Sequence, residues 1–142
     1  MQGCKSMSTP LVVGSKLMKE DETPLCNATL YRYLIGSLMY LMATRPYIML
    51  AVSLVSRFMH QPHESHWWAT KRILRYVSGT KFYGLFYTSA NDSNVVAYTD
   101  ADWAGNLDDR KSTSGYNFLF GGNPVSWRKK KQPIVALSTT KA

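Results

Sequence analysis

Residues 71–87 read KRILRYVSGTKFYGLFY, and the spacing of apolar residues changes within this segment. Its first half has helical spacing, with Ile73 on the side predicted to be buried and Lys71 and Arg75 on an outer face. Gly79 is placed to end this helix, because glycine adopts the left-handed conformation after a helix without strain. Beyond Gly79 the apolar residues follow the shorter period of strands. The chain is therefore expected to change here from helices to a sheet.

Upstream of this stretch, apolar spacing predicts two more helices. The first spans residues 30–43, and its apolar stripe consists of Leu30, Leu34, Leu38 and Leu41. Pro46 begins the second, because a residue in the first turn of a helix needs no N–H donor, and residues 60–62 end it. The third runs over residues 63–78. Three short helices with tight links predict a small antiparallel bundle.

Downstream, short apolar runs separated by turn residues predict strands. They lie at residues 83–87, 95–101, 116–120 and 125–127, with one more at 133–137. The Gly121-Gly122-Asn123-Pro124 turn makes a hairpin of the third and fourth. The fold class is therefore predicted as α+β, a small three-helix bundle followed by an antiparallel sheet. Few helices are left to cover that sheet, so one apolar face is expected to be exposed and to favour self-association.

Charge and cysteine content narrow the classes of partner. The net charge is +8, and residues 23–91 carry seven Lys or Arg against one acid, Glu64. Such a segment suits a polyanion such as nucleic acid or an acidic membrane face, and it also serves general solubility. Cys4 and Cys26 lack CxxC partners, which argues against a disulfide framework or a cysteine zinc site. No apolar run has the length of a signal peptide or membrane span, so an intracellular, reducing location in the cytoplasm or nucleus is expected.

Several segments occur in a recognisable order along the chain. They are Cys4-Lys5-Ser6-Met7-Ser8-Thr9-Pro10; Tyr31-Arg32; Gly36-Ser37-Leu38-Met39-Tyr40-Leu41; Thr44-Arg45-Pro46; Ser56-Arg57-Phe58-Met59; Lys71-Arg72-Ile73-Leu74-Arg75-Tyr76 with Gly79-Thr80; Tyr98-Thr99-Asp100-Ala101-Asp102-Trp103-Ala104-Gly105; Arg110-Lys111-Ser112-Thr113-Ser114-Gly115-Tyr116; Lys130-Lys131-Gln132; and Ala136-Leu137-Ser138. Together they resemble the Pol polyprotein of copia-type retrotransposons, from the end of its reverse transcriptase into its ribonuclease H.

The resemblance implies three parts. Residues 1–29 are an extended leader, residues 30–80 resemble the helices of the reverse transcriptase thumb and connection, and residues 81–142 resemble a truncated N-terminal half of ribonuclease H. Tyr47 departs from the family, which usually has Asp after Arg-Pro. That change puts in doubt a cap or ion pair at the start of the second helix.

In the intact family, ribonuclease H cleaves RNA in a hybrid with two divalent metals, normally Mg²⁺, held by a cluster of carboxylates. The resemblance makes Asp100 the relic of the first metal ligand, and Lys141 occupies the position of the next carboxylate. Asp102 should share the strand face of Asp100, whereas Asp108 and Asp109 are interpreted as loop acids. The remaining acidic positions would fall after Ala142. This chain is therefore expected to bind no metal or cofactor and not to be an enzyme, although the parent polyprotein is one.

Nucleic-acid binding remains the main functional hypothesis. Lys71, Arg72 and Arg75 on the third helix, with the run Arg128, Lys129, Lys130 and Lys131, are candidates for phosphate contacts with an RNA–DNA hybrid or another nucleic acid. The alternative is a solvated helix face and a solvated edge strand, where lysines discourage aggregation. His60, His63 and His66 invite a metal reading, but surface or capping roles are the stronger prediction, since no cysteine lies nearby.

A competing interpretation comes from another class of protein. Arg72-Ile73-Leu74-Arg75 spells Arg-x-Leu-Arg, which resembles the RxLR host-entry motif of secreted oomycete effectors that suppress host cell death. The chain would then act as a virulence factor in the host nucleus, with residues 128–131 as an import patch. Against this, the motif falls inside a predicted amphipathic helix, and neither a signal peptide nor a Glu-Glu-Arg element accompanies it. A third alternative is a decayed remnant without selected function.

Overall fold

The computed structural model describes residues 3–89 and 93–138, and it divides into two compact units, Met1–Gly84 and Leu85–Ala142. The first contains helices and the second contains an antiparallel sheet of three strands. The predicted α+β class is thus confirmed. No helix within the described ranges has the length and apolar content that a bilayer crossing requires.

The helical unit contains three α-helices, α1 (Ala28–Leu41), α2 (Met49–Val55) and α3 (Glu64–Gly79). Asn27 caps α1, because its side-chain oxygen accepts hydrogen bonds from the N–H groups of Thr29 and Leu30, each at 3.0 Å. Pro46 opens the second helical segment as predicted. That segment is less regular than expected, however, since 3₁₀ turns at Pro46–Ile48 and Ser56–Phe58 flank α2.

The core of the helical unit comes from all three helices. Its buried members are Tyr31, Ile35, Leu38, Ile48, Ala51, Val52, Val55 and Ile73. The predicted stripe of α1 is confirmed at Leu38 and Leu41. It was wrong by one residue in the first half of the helix, because Tyr31 and Ile35 are buried while Leu30 remains 54% exposed. Tyr31 can be buried because its hydroxyl donates a 2.7 Å hydrogen bond to the carbonyl of Val55. Burial raises the pKa of Tyr31 to about 12.

The leader before α1 is irregular, yet it is hydrogen-bonded to the helices. The N–H of Cys26 donates to the carbonyl of Pro62 at 2.9 Å, and that of Glu64 donates to the carbonyl of Pro24 at 2.9 Å. Leu11 and Leu17 add apolar contacts with the core. These contacts fix where the leader runs relative to the start of α3.

The second unit is a meander with the strand order β1 (Val95–Asp102), β2 (Thr113–Phe120) and β3 (Asn123–Lys131). Gly121 and Gly122 have φ of 52° and 78°, the conformation that a tight two-residue hairpin turn requires and that glycine adopts most easily. The predicted hairpin is therefore present. A register shift between Phe118 and Leu119 accommodates one extra residue of β3.

Two predicted strands, 83–87 and 133–137, do not form. Phe86 in the first segment and Phe82 just before it are largely exposed, so residues 83–87 do not pair with an edge of the sheet. Pro133 opens the second and lacks the N–H that a ladder needs.

The sheet is more exposed than expected. All eight residues of β1 are exposed, so this edge strand is uncovered on both of its faces rather than on one.

Candidate nucleic-acid interface and carboxylate site

Asp100 lies in the middle of β1, and the sheet register decides what faces it. Asp100 is opposite Gly115 of β2, which in turn is opposite Lys129 of β3. Because Gly115 has no side chain, the stem of Lys129 crosses the central strand, and its Nζ lies 3.1 Å from Asp100 Oδ2. The Lys129 side chain is only 17% exposed and that of Asp100 is 72% exposed. The candidate metal ligand is therefore engaged in an ion pair across the sheet.

Asp102 lies on the same face, as its spacing predicted, but it points to a different neighbour. Its carboxylate occupies the place that a Cβ at Gly105 would take. Across residues 3–89 and 93–138 there is no group of three His, Cys, Asp or Glu that would hold a metal ion. Two Mg²⁺ ions need several oxygen ligands in octahedral array. One lysine-paired carboxylate and one neighbour do not fit that requirement.

Asp109 is a structural residue that the sequence did not reveal. Its Oδ2 lies 2.7 Å from Nζ of Lys131 and 3.9 Å from Nζ of Lys111, and its Oδ1 accepts a hydrogen bond from the Asn106 amide. Although burial raises the pKa of Asp109, the hydrogen bond from Lys131 and that from Asn106 outweigh it and lower the pKa to about 2. Asp109 thus fastens the loop between β1 and β2 to the end of β3. The Asn106–Asp109 spacing is typical of a loop, but the lysine partner comes from a distant strand.

The basic run of β3 is divided between the two faces of the sheet. Lys129 and Lys131 lie on the face of Asp100, and both are in ion pairs. Arg128 and Lys130 alternate to the opposite face, where they are exposed and line a shallow depression of about 480 Å³. The four predicted phosphate contacts therefore cannot all reach one strand of nucleic acid from one face.

The cations of α3 lie on one side of that helix. Nζ of Lys71 is 5.2 Å from the centre of the Trp67 ring, and Arg72 donates a 3.0 Å hydrogen bond to the Thr9 hydroxyl. The buried Nε atoms of Arg72 and Arg75 have no hydrogen-bond partner within the described residues. A buried donor left unsatisfied costs about 1–3 kcal/mol. Because both Nε atoms are shielded from solvent, an anion at this surface can be bound only through the Nη atoms and the charge of each guanidinium group.

The histidines at the start of α3 act in capping and packing. Nδ1 of His66 accepts a 2.9 Å hydrogen bond from the N–H of His63, and its Nε2 lies 2.9 Å from the carbonyl oxygen of Met18. The His66 ring is fully buried and stacks on Phe58 with centroids 3.9 Å apart. Since Nδ1 is the acceptor, Nε2 carries the proton and donates to Met18. The predicted capping role is present, but His66 is not a surface residue.

Comparison with known proteins gives the family. The chain is 44% identical over its whole length to the "Retrovirus-related Pol polyprotein from transposon RE2" of Arabidopsis thaliana, of which it covers 10%. It is also 44% identical over its whole length to the tobacco "Retrovirus-related Pol polyprotein from transposon TNT 1-94", of which it covers 11%. The chain belongs to the copia-type retrotransposon Pol family. It spans about a tenth of the length of these curated Pol polyproteins.

A shorter relative carries a different name. The chain is 50% identical over 111 residues to "Secreted RxLR effector protein 161" of Plasmopara viticola. The aligned residues make up 78% of this chain and 78% of that relative. No family model matches the chain, and no solved structure does either.

Two departures from the copia-type pattern have different outcomes. Tyr47 replaces the usual Asp, and its hydroxyl accepts a 2.9 Å hydrogen bond from Arg45. The same guanidinium donates to the carbonyls of Thr80 and Lys81, at 2.9 Å and 3.0 Å, so Arg45 holds the C-terminal end of α3 without a carboxylate. Lys141, at the second carboxylate position, lies outside the described residues.

Proposed function

We propose that this chain is a catalytically incomplete piece of a copia-type reverse transcriptase and ribonuclease H, and that it binds nucleic acid without sequence preference. One observation carries the proposal: Lys71, Arg72 and Arg75 share one side of α3. The single acid of α3, Glu64, lies in its first turn. Phosphate oxygens supply the acceptors and the negative charge that this side of the helix favours.

Salt dependence tests the proposal. Three phosphate contacts predict that log K falls with log salt with a slope of about −2 to −3, so binding weakens about 16- to 64-fold between 50 and 200 mM salt. Replacing Lys71, Arg72 and Arg75 together by Gln should remove most of this slope, as measured by fluorescence anisotropy with a labelled RNA–DNA hybrid. Arg32→Gln is the matched control, because Arg32 is an exposed cation on α1. Equal binding by the triple variant and the parent would rule out α3 as the contact surface.

The second part of the proposal is that the 142-residue chain does not cleave RNA. Mg²⁺ is the cofactor of the intact ribonuclease H, but here Lys129 neutralises Asp100, and Asp102 lies against Gly105. The assay is release of labelled RNA from a hybrid with Mg²⁺ or Mn²⁺, with Asp100→Asn as the control for contaminating nuclease. We expect equal, background-level release from both proteins. Cleavage by the parent that disappears in Asp100→Asn would overturn this part.

The effector relative supports a second candidate function, host entry through Arg72-Ile73-Leu74-Arg75. In the structure these residues are helical, Ile73 is fully buried, and Leu74 packs against the core. Ile73 is therefore inaccessible to a receptor, whereas Arg72, Leu74 and Arg75 are only partly buried. If this function operates, Arg72→Gln with Arg75→Gln should abolish entry into host cells while helical circular dichroism stays unchanged, and Arg32→Gln should enter normally. Normal entry by the double variant would eliminate the candidate.

The two candidate functions require different cellular locations. The nucleic-acid function suits the cytoplasm or nucleus of the cell that makes the protein, whereas the effector function requires secretion and the host nucleus. A fluorescent fusion followed from expression to uptake distinguishes them.

A further inference from the structure

The helical unit contains a groove next to the cations of α3 that the phosphate contacts alone do not explain. The groove has a volume of about 600 Å³ and is lined by Cys4, Leu34, Trp68, Lys71, Leu74 and Arg75. It therefore combines one large aromatic ring, two leucines and two cations, and none of the acids that the structure describes lines it. A wholly apolar occupant would leave the cations unused, and a simple anion would leave the ring and leucines in water.

The aromatic member is placed for stacking. Trp68 is 55% exposed, although its neighbour Trp67 packs against the core. An exposed indole beside leucines offers a flat apolar surface, and every nucleobase has a π face that stacks on such a ring. Burying half of a tryptophan against a base removes apolar surface from water, which is favourable irrespective of which base is bound.

The cationic members are placed for a phosphate. Lys71 and Arg75 are four residues apart on α3, so their Cβ atoms are about 5–6 Å apart on one face of the helix. Both side chains line the groove, so a phosphate between them would accept hydrogen bonds from both. Trp68 lies one turn before Lys71 and two turns before Arg75, and it lines the same groove, which places an aromatic surface beside the phosphate position.

We propose that this groove binds one unpaired nucleotide of a single nucleic-acid strand, with its base stacked on Trp68 and its phosphate between Lys71 and Arg75. The inference rests on the proposed nucleic-acid binding and adds that the strand is single at this point. A paired base inside a duplex is already stacked on its neighbours and does not expose its face to Trp68. An acidic side chain of a peptide would pair with the cations, but unlike a nucleotide it carries no planar base to stack on Trp68.

Binding of a short single-stranded oligonucleotide and of its duplex separates the base contact from the phosphate contacts. Trp68→Ala should weaken single-strand binding about 5- to 150-fold, the range expected for one stacked base, and should change duplex binding less than twofold. The salt slope should stay the same, because no phosphate contact is removed. Trp68→Phe should retain most of the affinity. Tyr33→Ala is the matched control, since Tyr33 is an exposed aromatic of α1 outside the groove.

The outcomes distinguish this inference from the general function. If Trp68→Ala affects single strand and duplex equally, or no more than Tyr33→Ala does, the base site is wrong while phosphate binding by α3 stands. If the parent binds neither nucleic acid, the proposed function fails together with the inference. Circular dichroism of each variant confirms that helix content is unchanged before affinities are compared.

Cys4 gives an independent test of location. It is an exposed free thiol that lines the groove, whereas Cys26 is half-buried and burial raises the pKa of its thiol. An oligonucleotide whose terminal base carries an activated disulfide should join Cys4: the Cys4 thiolate attacks the sulfur of the tether and displaces the leaving thiolate. We expect a cross-link with the single strand that is lost in Cys4→Ser and reduced at least tenfold by the complementary strand. Cross-linking that the complement leaves unchanged would overturn the proposal.

Discussion

The two units of this chain are held together in different ways. The helical unit buries large apolar side chains from three helices, including Tyr31, Ile35 and Ile73, all fully inaccessible. Among the described residues of the sheet unit, the buried ones are small or polar: Ala104, Asn106, Ser112, Thr113 and Ala136. Its large apolar residues, such as Phe118 and Val95, remain exposed. The first unit therefore relies on the hydrophobic effect, and the second relies on its ladder, a glycine turn and ion pairs.

That difference has a consequence for stability. Burial of apolar area contributes about 25 cal/mol per Å² and gives the main favourable term of folding. A small sheet without a covered apolar face is marginal in water unless another surface packs on it. We therefore expect the sheet unit to unfold at lower denaturant than the helical unit. Because all of β1 is exposed, we also propose that this edge strand favours self-association.

The largest expected change in the free energy of unfolding comes from a substitution in the core of the helical unit. Ile73→Ala should lower the free energy of unfolding of that unit by about 2–5 kcal/mol, because Ile73 is fully buried and the cavity collapses only in part. Phe118→Ala in the sheet, at 37% exposure, should cost well under half as much despite its larger side chain. Urea unfolding followed by helical circular dichroism and by tryptophan emission measures both. Equal costs would mean that the sheet has a core of its own.

A somewhat smaller effect concerns the buried polar cap. His66→Leu leaves the N–H of His63 and the carbonyl of Met18 without their partner. An orphaned buried group costs about 1–3 kcal/mol, so the helical unit should lose about 2–3 kcal/mol even though leucine is more apolar. The neighbouring exposed His60→Leu serves as the control and should be nearly neutral. A stabilised His66→Leu protein would show that water replaces both contacts.

The sheet unit should respond to acid through Asp109. Its pKa is lowered from 3.8 to about 2, so the contribution of its ion pairs to stability is present above pH 3.8 and is lost as the pH falls towards 2. Asp109 is partly exposed, so screening limits the contribution to about 1 kcal/mol or less. Asp109→Asn should remove this part of the pH dependence of the sheet transition and leave the helical transition unchanged. A pH profile that is identical in the variant and the parent would contradict the assignment.

The smallest effect should follow from Lys129→Gln. The ion pair with Asp100 is largely exposed on the carboxylate side, so its loss should change stability by about 0–1 kcal/mol. The same change removes a repelling charge and should allow weak Mn²⁺ binding near Asp100, detected by paramagnetic broadening. Lys130→Gln, on the opposite face, is the control. Broadening in both variants or in neither would show that Lys129 does not control this carboxylate.

Local sequence rules predicted the parts of the fold that depend on neighbouring residues. Pro46 marked a helix start and Gly121-Gly122 marked the hairpin, because their backbone preferences act without any partner. Gly79 lies at the end of α3 as predicted, but as its last helical residue and not in the left-handed conformation, and Thr80 caps the helix instead. The rules were wrong where an element forms only if another segment pairs with it. Residues 83–87 have the composition of a strand, but a strand exists only if an edge accepts its hydrogen bonds.

The candidate sites show the same division. Spacing placed Asp100 and Asp102 on one face and Lys71 with Arg75 on one side of α3, since the period of an element fixes which residues share a side. Spacing could not show that Lys129 reaches Asp100, because that contact depends on the register that puts Gly115 between them.

Patterns of residues along the chain were enough to predict the family, the α+β class, the order of the elements and the residues that share a face. They did not predict that Tyr31 is buried in place of Leu30, because that burial depends on the carbonyl of Val55 as an acceptor. The tertiary structure also decided that Asp100 is paired with a lysine, that Asp109 fastens a loop, and that Trp68 lies beside two cations in a groove. The physical reason is that periodicity is a property of one segment, whereas burial and charge pairing depend on groups that only folding brings together.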